Sequence, residues 1–355
     1  MKAIVIGGGI IGLSSAFYLQ KSGWEVTVLD KCDFTDNCSY GNCGYICPSH
    51  FIPLATPGIV KQGFKWMWNS KSPFYVQPRL DWNLINWGLK FVRSATKDHV
   101  ATAAIPLRDI AIISKKEYES WLGIPGFDFA YEQKGLLEIF QTEAGGEHAR
   151  HTVEKAHELG LNDTKLLSKE ELDALEPQTR INGLGAIMFN CDAHCYPNKL
   201  MQQLIIYLKQ QGVKLVANEE VVGFGKEVSK ISKVYKVNKV YTVNGITGEK
   251  NSFDADEIVV ATGSWGRETA KLLGTRIPMM PGRGYSVTLE NSPYKVNYPA
   301  VLLEGRAAIT PMDGNKIRFG GTMEITSHKT PPRMNRVQGI LDAVKRFYPD
   351  FDVPL

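Results

Sequence analysis

The first thirty residues restrict the fold of this chain more than any other stretch. An apolar run leads into the glycine segment at 7–12 (GGGIIG), a helix-like run follows, and a second apolar run ends at Asp30. This order of strand, glycine turn, helix, strand and acid is typical of a dinucleotide-binding βαβ unit. We predict that Gly7 allows the tight turn, that Gly9 lets a pyrophosphate approach, and that Gly12 lets the helix pack on the strand. The helix-start N–H groups would face the phosphates.

Asp30 indicates which dinucleotide is bound. A carboxylate at the end of the second strand accepts hydrogen bonds from ribose hydroxyls and repels a 2′-phosphate, so NADP is disfavoured. A second signal is the turn Ala261-Thr262-Gly263, which follows a continuous apolar strand. In a parallel sheet that turn is expected beside the glycine loop. The alternative for residues 7–12 is a glycine-rich turn without a ligand, and the alternative for Gly263 is an ordinary strand-to-loop glycine.

Charge and hydropathy exclude several classes of function. The 355 residues carry a net charge of only +4 and no long basic run, so nucleic-acid binding has no support. No stretch reaches the roughly eighteen consecutive apolar residues of a membrane span. The first strand begins near the N-terminus, so we expect no cleavable signal peptide and a cytoplasmic location.

The six cysteines raise the question of a metal site. Four of them fall between residues 32 and 47, at spacings that contain no Cys-x-x-Cys pair. These spacings match no zinc pattern well, so we expect free, mostly buried thiols and no metal. A metal or iron–sulfur site is the less favoured alternative.

Residues 51–100 read as irregular and are rich in tryptophan. Trp66, Trp68, Trp82 and Trp87 fall there, with lysines and an arginine between them. They either fill a core under a long excursion or form an amphipathic surface for a membrane or a partner.

The remaining chain alternates helical and strand-like stretches. Helices are expected at 101–122, 143–159, 197–211 and 333–348, with a capped helix start at Ser168. Strands are expected at 135–141, 186–190 and 214–224, in a hairpin to 253, at 258–261, and as two strands over 300–323. This pattern predicts a mixed α/β chain, with a doubly wound Rossmann-like domain interleaved with an antiparallel-sheet substrate domain. The predicted boundaries are 1–80 and 143–275 for the nucleotide-binding domain, and 81–142 and 276–355 for the substrate domain.

A third signal is the small, polar loop Ser39–Ile46, which directly follows the second strand. With it, the chain resembles the FAD-dependent amine oxidoreductases of the D-amino-acid oxidase type, and within them the bacterial D-amino-acid dehydrogenases. The matching motifs are spread over nearly the whole chain: Asn42-Cys43-Gly44, Lys65-Trp66-Met67-Trp68, the segment 135–140, Glu176-Pro177, the segment 259–264, the segment 281–286 and the segment 317–324.

The resemblance implies an extended FAD, with adenosine at Asp30 and the flavin toward the second domain. The residues implied as cofactor contacts are Gly7, Gly9, Ile10, Ile11, Gly12, Asp30, Lys31, Ser39, Asn42, Cys43, Gly44, Tyr45, Ile46, Val221, Val222, Ala261, Thr262, Gly263 and Trp265.

The implied reaction is oxidation of the Cα–N bond of a small amino acid, followed by hydrolysis of the imine to a 2-oxo acid and ammonia. A substrate carboxylate needs an arginine and usually a tyrosine. Arg306 and Tyr285, expected on strands of the substrate domain, are the candidates, and His50 could line the pocket. The alternatives are a surface arginine, a core tyrosine and a loop histidine.

The family has a further C-terminal stretch that this sequence lacks after Leu355. That stretch closes the flavin site and supplies an arginine, so a second chain is one expected way to complete the site. Four hypotheses follow: a dehydrogenase that reduces a quinone at the inner membrane face, a glycine- or sarcosine-type oxidase using oxygen, a flavin-binding subunit, and an NAD-dependent dehydrogenase.

Overall fold

The computed structural model describes residues 1–61, 63, 72, 74–228 and 235–354, and it leaves the side chains of 227, 228 and 235 out. The motif at 65–68, with Trp66 and Trp68, therefore lies outside the described residues. The described chain divides into two compact units, each built from two separate segments. The first comprises Met1–Gly41 and Asn198–Pro281, and the second comprises Asn42–Pro197 and Gly282–Leu355.

The first unit is built on a parallel sheet in the order β13-β1-β2-β9. Its core strands are nearly continuous runs of Val, Ile and Leu, as expected for strands covered on both faces. An antiparallel sheet of three strands, β10-β11-β12, completes the unit. Its elements are β1 (Lys2–Ile6), α1 (Ile10–Lys21), β2 (Glu25–Leu29), α6 (Pro197–Gln210), β9 (Lys214–Val216), β10 (Glu219–Val228), β11 (Tyr235–Asn244), β12 (Lys250–Asp254), β13 (Glu257–Val260) and α7 (Gly266–Leu272).

The second unit contains a large mixed sheet in the order β14-β17-β16-β15-β5-β7-β6, with β4 pairing β17, and a separate two-stranded sheet, β3-β8. The helix α8 packs its buried apolar face against this sheet and closes the core. Its elements are β3 (Tyr45–Ile46), β4 (Phe74–Val76), α2 (Trp82–Ser94), α3 (Lys97–Trp121), β5 (Leu136–Phe140), α4 (Glu143–Glu158), β6 (Thr164–Leu167), α5 (Lys169–Leu175), β7 (Gly185–Phe189), β8 (Ala193–His194), β14 (Gly282–Leu289), β15 (Ala300–Leu302), β16 (Ala307–Pro311), β17 (Ile317–Ile325) and α8 (Met334–Phe347).

The chain passes from one compact unit to the other after residues 41, 197 and 281. Residues 143–197, which the sequence assigned to the nucleotide-binding domain, lie in the second unit because β6 and β7 extend its sheet. The two compact units alternate along the chain. The boundaries at 80, 142 and 275 remain predictions about functional domains.

Local signals in the sequence account for many element boundaries. Thr96 and Thr142 accept hydrogen bonds from backbone N–H groups at the starts of α3 and α4. The capped helix start expected at Ser168 is present at α5, where Ser168 and Glu171 form a reciprocal capping box. The mixed α/β fold class is confirmed.

Two predicted stretches and the position of one residue need correction. The stretch 51–100, read as irregular, contains the helix α2, which Asp81 caps. The stretch 300–323, read as two strands, forms β15, β16 and β17 because the short turn at 303–306 separates two strands. Arg306, expected on a strand, lies in that turn with a φ of 48°.

Glu176 gives the second unit a pH-dependent contribution to stability. Its side chain is buried, and its carboxylate accepts hydrogen bonds from the backbone N–H groups of Asn297 and Tyr298. Burial raises the pKa of Glu176 to about 6, and the backbone hydrogen bonds oppose this rise. Because the folded pKa lies above the unfolded value, the contribution is complete below the unfolded pKa and is lost as the pH rises through about 6.

We therefore expect Glu176→Gln, which mimics the neutral carboxyl, to gain roughly 2 kcal/mol of unfolding free energy over the wild type at about pH 7.5, and little at about pH 4.5. Urea unfolding at both pH values measures this difference. Glu147→Gln, at an exposed position on α4, is the matched control. Its unfolding free energy should differ between the two pH values by the same amount as that of the wild type. An equal gain for Glu176→Gln at both pH values would contradict the assignment.

Candidate functional site

The glycine loop of the first unit connects β1 to α1. α1 begins at Ile10 directly after Gly9, and its first turn contains no acidic residue. The loop is held by a hydrogen bond from the Gly7 N–H to the Leu29 carbonyl (2.8 Å) and by one from the Ile10 N–H to the Ser39 hydroxyl (3.0 Å). This end of the helix has the backbone N–H groups and positive dipole that favour an anion.

Gly12 permits the close contact between α1 and the loop. A Cβ at this position would lie 1.7 Å from the Gly7 carbonyl oxygen and 2.9 Å from the Gly7 carbonyl carbon. Both atoms belong to the backbone, so no side-chain rotation could relieve the overlap. The packing role that the sequence predicted for Gly12 therefore agrees with the structure.

Asp30 lies immediately after β2, with its carboxylate directed at the glycine loop. Oδ2 accepts a hydrogen bond from the Gly8 N–H (2.6 Å), and Oδ1 accepts one from the Cys32 N–H (2.7 Å). Its backbone carbonyl accepts a hydrogen bond from the Glu219 N–H (2.8 Å), which ties it to the start of β10. The negative charge is thus fixed at the carboxyl end of the sheet, where a ribose would be bound.

The turn Ala261-Thr262-Gly263 lies beside the glycine loop. The Ala261 N–H donates to the Ile6 carbonyl (2.8 Å), and a Cβ on Gly7 would be 2.4 Å from the Ala261 carbonyl oxygen. The hydroxyl of Thr262 accepts a hydrogen bond from Thr269 of α7 (3.1 Å). The position that the sequence assigned to this turn is therefore the one observed.

Two further predicted groups lie in the first unit. The ammonium of Lys31 lies over the ring of Trp265, 3.5 Å from its centroid. The ladder between β10 and β11 shifts between Val221 and Gly223, so Val222 occupies a bulge, and its side chain is 48% exposed. A bulge leaves backbone polar groups outside the ladder, where they can bind a ligand.

The loop Asn42–Ile46 lies in the second unit and is tightly held there. Gly44 has a φ of 73°, and a Cβ on it would lie 2.1 Å from the Cys195 carbonyl oxygen. Its N–H donates to the side chain of Asn42 (2.7 Å). The hydroxyl of Tyr45 lies 2.8 Å from the Ala300 carbonyl oxygen, and burial raises the pKa of Tyr45 well above its ordinary value. Tyr45 and the Asn42 side-chain oxygen therefore stabilise the loop itself.

Arg318 is a residue of this loop's surroundings whose role sequence reasoning missed. Arg318 lies in the core strand β17 and is buried there, with 4% of its surface exposed. Its guanidinium donates to the Asn42 carbonyl (2.7 Å) and to the Thr288 hydroxyl (2.9 Å). Burial lowers the pKa of Arg318. An arginine between Ile317 and Phe319 in a buried strand was the signal that could have found it.

The three predicted substrate residues lie in different surroundings. The hydroxyl of Tyr285 donates to the buried Glu324 (2.7 Å) and accepts from the Arg333 N–H (3.1 Å). Arg306 is exposed, and its charge opposes the burial that raises the pKa of Glu138 to about 6. His50 is exposed, with Nδ1 3.2 Å from the Ser49 hydroxyl. These contacts do not test substrate binding, so all three residues stay predictions.

A family model described as FAD dependent oxidoreductase, of the DAO type, matches residues 2–355. The chain belongs to this family. This chain is 30% identical to a D-amino acid dehydrogenase from Vibrio atlanticus, over 92% of this chain and 76% of that protein. It is 25% identical to one from Granulibacter bethesdensis, over 99% of the chain and 82% of that protein, and 31% identical to one from Helicobacter pylori, over 81% and 66%.

Solved structures show the same fold. Glycine oxidase from Geobacillus kaustophilus matches this DAO family chain with a TM-score of 0.66 and 18% identity, covering 98% of this chain and 78% of that one. An L-α-glycerophosphate oxidase from Mycoplasma pneumoniae with FAD bound matches with a TM-score of 0.68 and 18% identity, covering 99% and 79%.

These findings confirm FAD as the cofactor and oxidoreduction as the class of reaction. The first unit fits the cofactor because Gly12 brings α1 against the loop, the first turn of α1 is free of acidic residues, and Asp30 is fixed at the end of β2. Within the described residues, no helix is both long and apolar enough to cross a membrane.

Proposed function

We propose that this chain oxidatively deaminates a small D-amino acid. The observation that carries the proposal is the likeness along 92% of the chain to a protein named D-amino acid dehydrogenase, combined with a glycine loop that fits a dinucleotide. When bound, FAD supplies the acceptor for the hydride of the substrate Cα. The imine product hydrolyses in water to a 2-oxo acid and ammonia.

The residues of the chain supply binding and orientation. The N–H groups at the start of α1 would hold the pyrophosphate, and Asp30 would accept hydrogen bonds from the ribose. Arg318 would fix the backbone of Asn42 and thereby the loop that the sequence assigns to the flavin. Tyr285, Arg306 and His50 remain candidates for contact with the substrate, and a second chain that completes the site remains a proposal.

We also infer a quinone at a membrane surface as the electron acceptor. α2 exposes Trp82 (77%), Ile85 (44%), Leu89 (54%) and Val92 (51%), which recur three or four residues apart and so share one face. The basic residues of the helix are Lys90 and Arg93, and it contains no acidic residue. An apolar face with tryptophan and a basic remainder is typical of a helix that lies in a lipid interface.

The test is turnover by the purified chain loaded with FAD, with D- and L-enantiomers of small amino acids. We expect 2-oxo acid from D-enantiomers under anaerobic conditions with a quinone analogue, and faster reduction when the quinone is carried in anionic vesicles. Turnover of glycine or sarcosine with oxygen alone would favour the oxidase hypothesis. Bound FAD without turnover of any amino acid would contradict deamination by this chain and would favour the flavin-binding subunit.

A further inference from the structure

Three potential metal ligands come together in the second unit from distant parts of the chain. One ligand atom each of Cys47, His50 and Asp192 lies within 4.8 Å of the others. The register of β3 with β8 brings the two segments together, because Ile46 pairs with Ala193 in an antiparallel ladder. Cys47 and Asp192 are the next residues outward in that register.

Asp192 is the buried anchor of the cluster. Its side chain is fully buried, and it accepts hydrogen bonds from the Ser49 N–H (3.0 Å) and the Ser49 hydroxyl. The same hydroxyl lies 3.2 Å from Nδ1 of His50, so Ser49 bridges two of the three groups. An orienting hydrogen bond of this kind is typical of the residues that surround metal ligands.

A further potential ligand, Cys191, lies next to Asp192 but outside the group of three whose ligand atoms are within 4.8 Å of one another. The thiol of Cys191 donates to Oδ1 of Asp192 at 3.3 Å. Cys47 and Cys191 both pack against the apolar cluster that contains Phe140 and Phe189. His50 is exposed, so this ligand of the group is accessible to an ion from solvent.

The donor types select the class of ion. Thiolate, imidazole and carboxylate together suit Zn²⁺, whereas Mg²⁺ and Ca²⁺ prefer oxygen ligands alone. Ligands of a tetrahedral Zn²⁺ lie roughly 3.5 Å apart. The distances between the three ligand atoms would therefore have to shorten by roughly 1 Å. Rotation of the exposed His50 side chain can bring its ring nitrogen closer to the other two.

We propose that Cys47, His50 and Asp192 form a binding site for a Zn²⁺-class cation, with the Cys191 thiol as the adjacent fourth donor. The bound ion cross-links the segment after β3 to the turn between β7 and β8. In the sequence, the spacing Cys47-Pro-Ser-His50 is the local signal for such a site, and the spacings among the cysteines alone do not contain it. The expectation of no metal stays a prediction, which binding at this site would contradict.

The test is metal binding by the full chain, prepared without an affinity tag and treated with a chelator. Equilibrium dialysis against Zn²⁺ should give one ion per chain. Co²⁺ in its place should give visible d–d bands to the red of the flavin absorption, with the intensity of a tetrahedral site and a thiolate-to-metal charge-transfer band. Thermal unfolding should move to a higher temperature when Zn²⁺ is added.

Variants identify the ligands. His50→Gln changes an exposed side chain and Cys47→Ser changes one atom, so both should fold, and each should abolish the one-to-one binding. Ser49→Ala removes only the orienting hydroxyl and should weaken binding about 10- to 100-fold. Cys38→Ser is the matched control, since it removes an exposed thiol outside the cluster, and should bind like the wild type. No binding by the wild type, or unchanged binding by His50→Gln and Cys47→Ser, would overturn the proposal.

Discussion

Replacing Gly12 with alanine is expected to abolish FAD binding and to lower the unfolding free energy by about 3 kcal/mol. The new Cβ would overlap the backbone of Gly7, with its carbonyl oxygen 1.7 Å away, and would lie 3.4 Å from a methyl group of Val5. Relief requires α1 to move away from β1, and that movement takes the N–H groups of the helix start away from the phosphates. The FAD content of the purified protein and urea unfolding measure the two effects.

Gly88→Ala is the matched control for this substitution. Gly88 also lies within a helix, α2, but a Cβ on it would meet no atom within 4 Å. Alanine is favoured over glycine in a helix by up to about 1 kcal/mol, so this variant should be as stable as the wild type or more so, with unchanged FAD content. A Gly12→Ala protein that retained FAD would show that α1 does not pack as the structure has it.

The nucleotide-binding half could be predicted because its signals are local. The strand, turn and helix of the glycine motif are contiguous, and Gly7 and Gly12 each have a steric reason of their own. The turn at 261–263 could also be placed, because the apolar run 258–260 is typical of a strand in a parallel sheet, and its carboxyl end then lies beside β1. Periodicity and a fixed topology were sufficient for this part.

The surroundings of the Asn42–Ile46 loop could not be predicted in the same way. The bond from Arg318 to Asn42 joins residues 276 positions apart, and the pairing of β3 with β8 depends on a two-residue ladder. Neither has a local sequence pattern. Strand register sets both contacts, and register depends on the packing of the whole sheet.

Arg306 shows how a backbone irregularity defeats periodicity, whereas Tyr285 lies on a strand, β14, as expected. The ladder of β14 and β17 shifts between Arg283 and Tyr285, and the hydroxyl of Tyr285 meets Glu324. Arg306 adopts a left-handed conformation in a turn, although the alternating pattern around it indicated a strand. A bulge and a single positive φ change which way a side chain points, and the sequence signals for them are weak.

Replacing Asp30 with alanine is expected to raise the dissociation constant of FAD by about 10- to 100-fold. Ribose hydroxyls would lose a charged acceptor, and such hydrogen bonds contribute roughly 1.5 to 3 kcal/mol each. The variant also removes the acceptor of the Gly8 N–H (2.6 Å), so the glycine loop loses a contact that shapes it. Titration of the FAD-free protein with FAD, followed by flavin fluorescence, measures the constant.

Asp33→Ala is the matched control, because it tests whether the position of the Asp30 carboxylate or only its negative charge matters for FAD binding. Asp33 lies in the same loop region, and its carboxylate accepts local hydrogen bonds from the N–H (3.0 Å) and the hydroxyl (2.7 Å) of Thr35. It removes the same charge three residues away, so a long-range electrostatic effect on FAD would appear in both variants. We expect the dissociation constant of Asp33→Ala to stay within about twofold of the wild type, because exposed charges are screened over such distances. Equal weakening in the two variants would contradict a direct role for Asp30, whereas weakening in Asp30→Ala alone is the expected result.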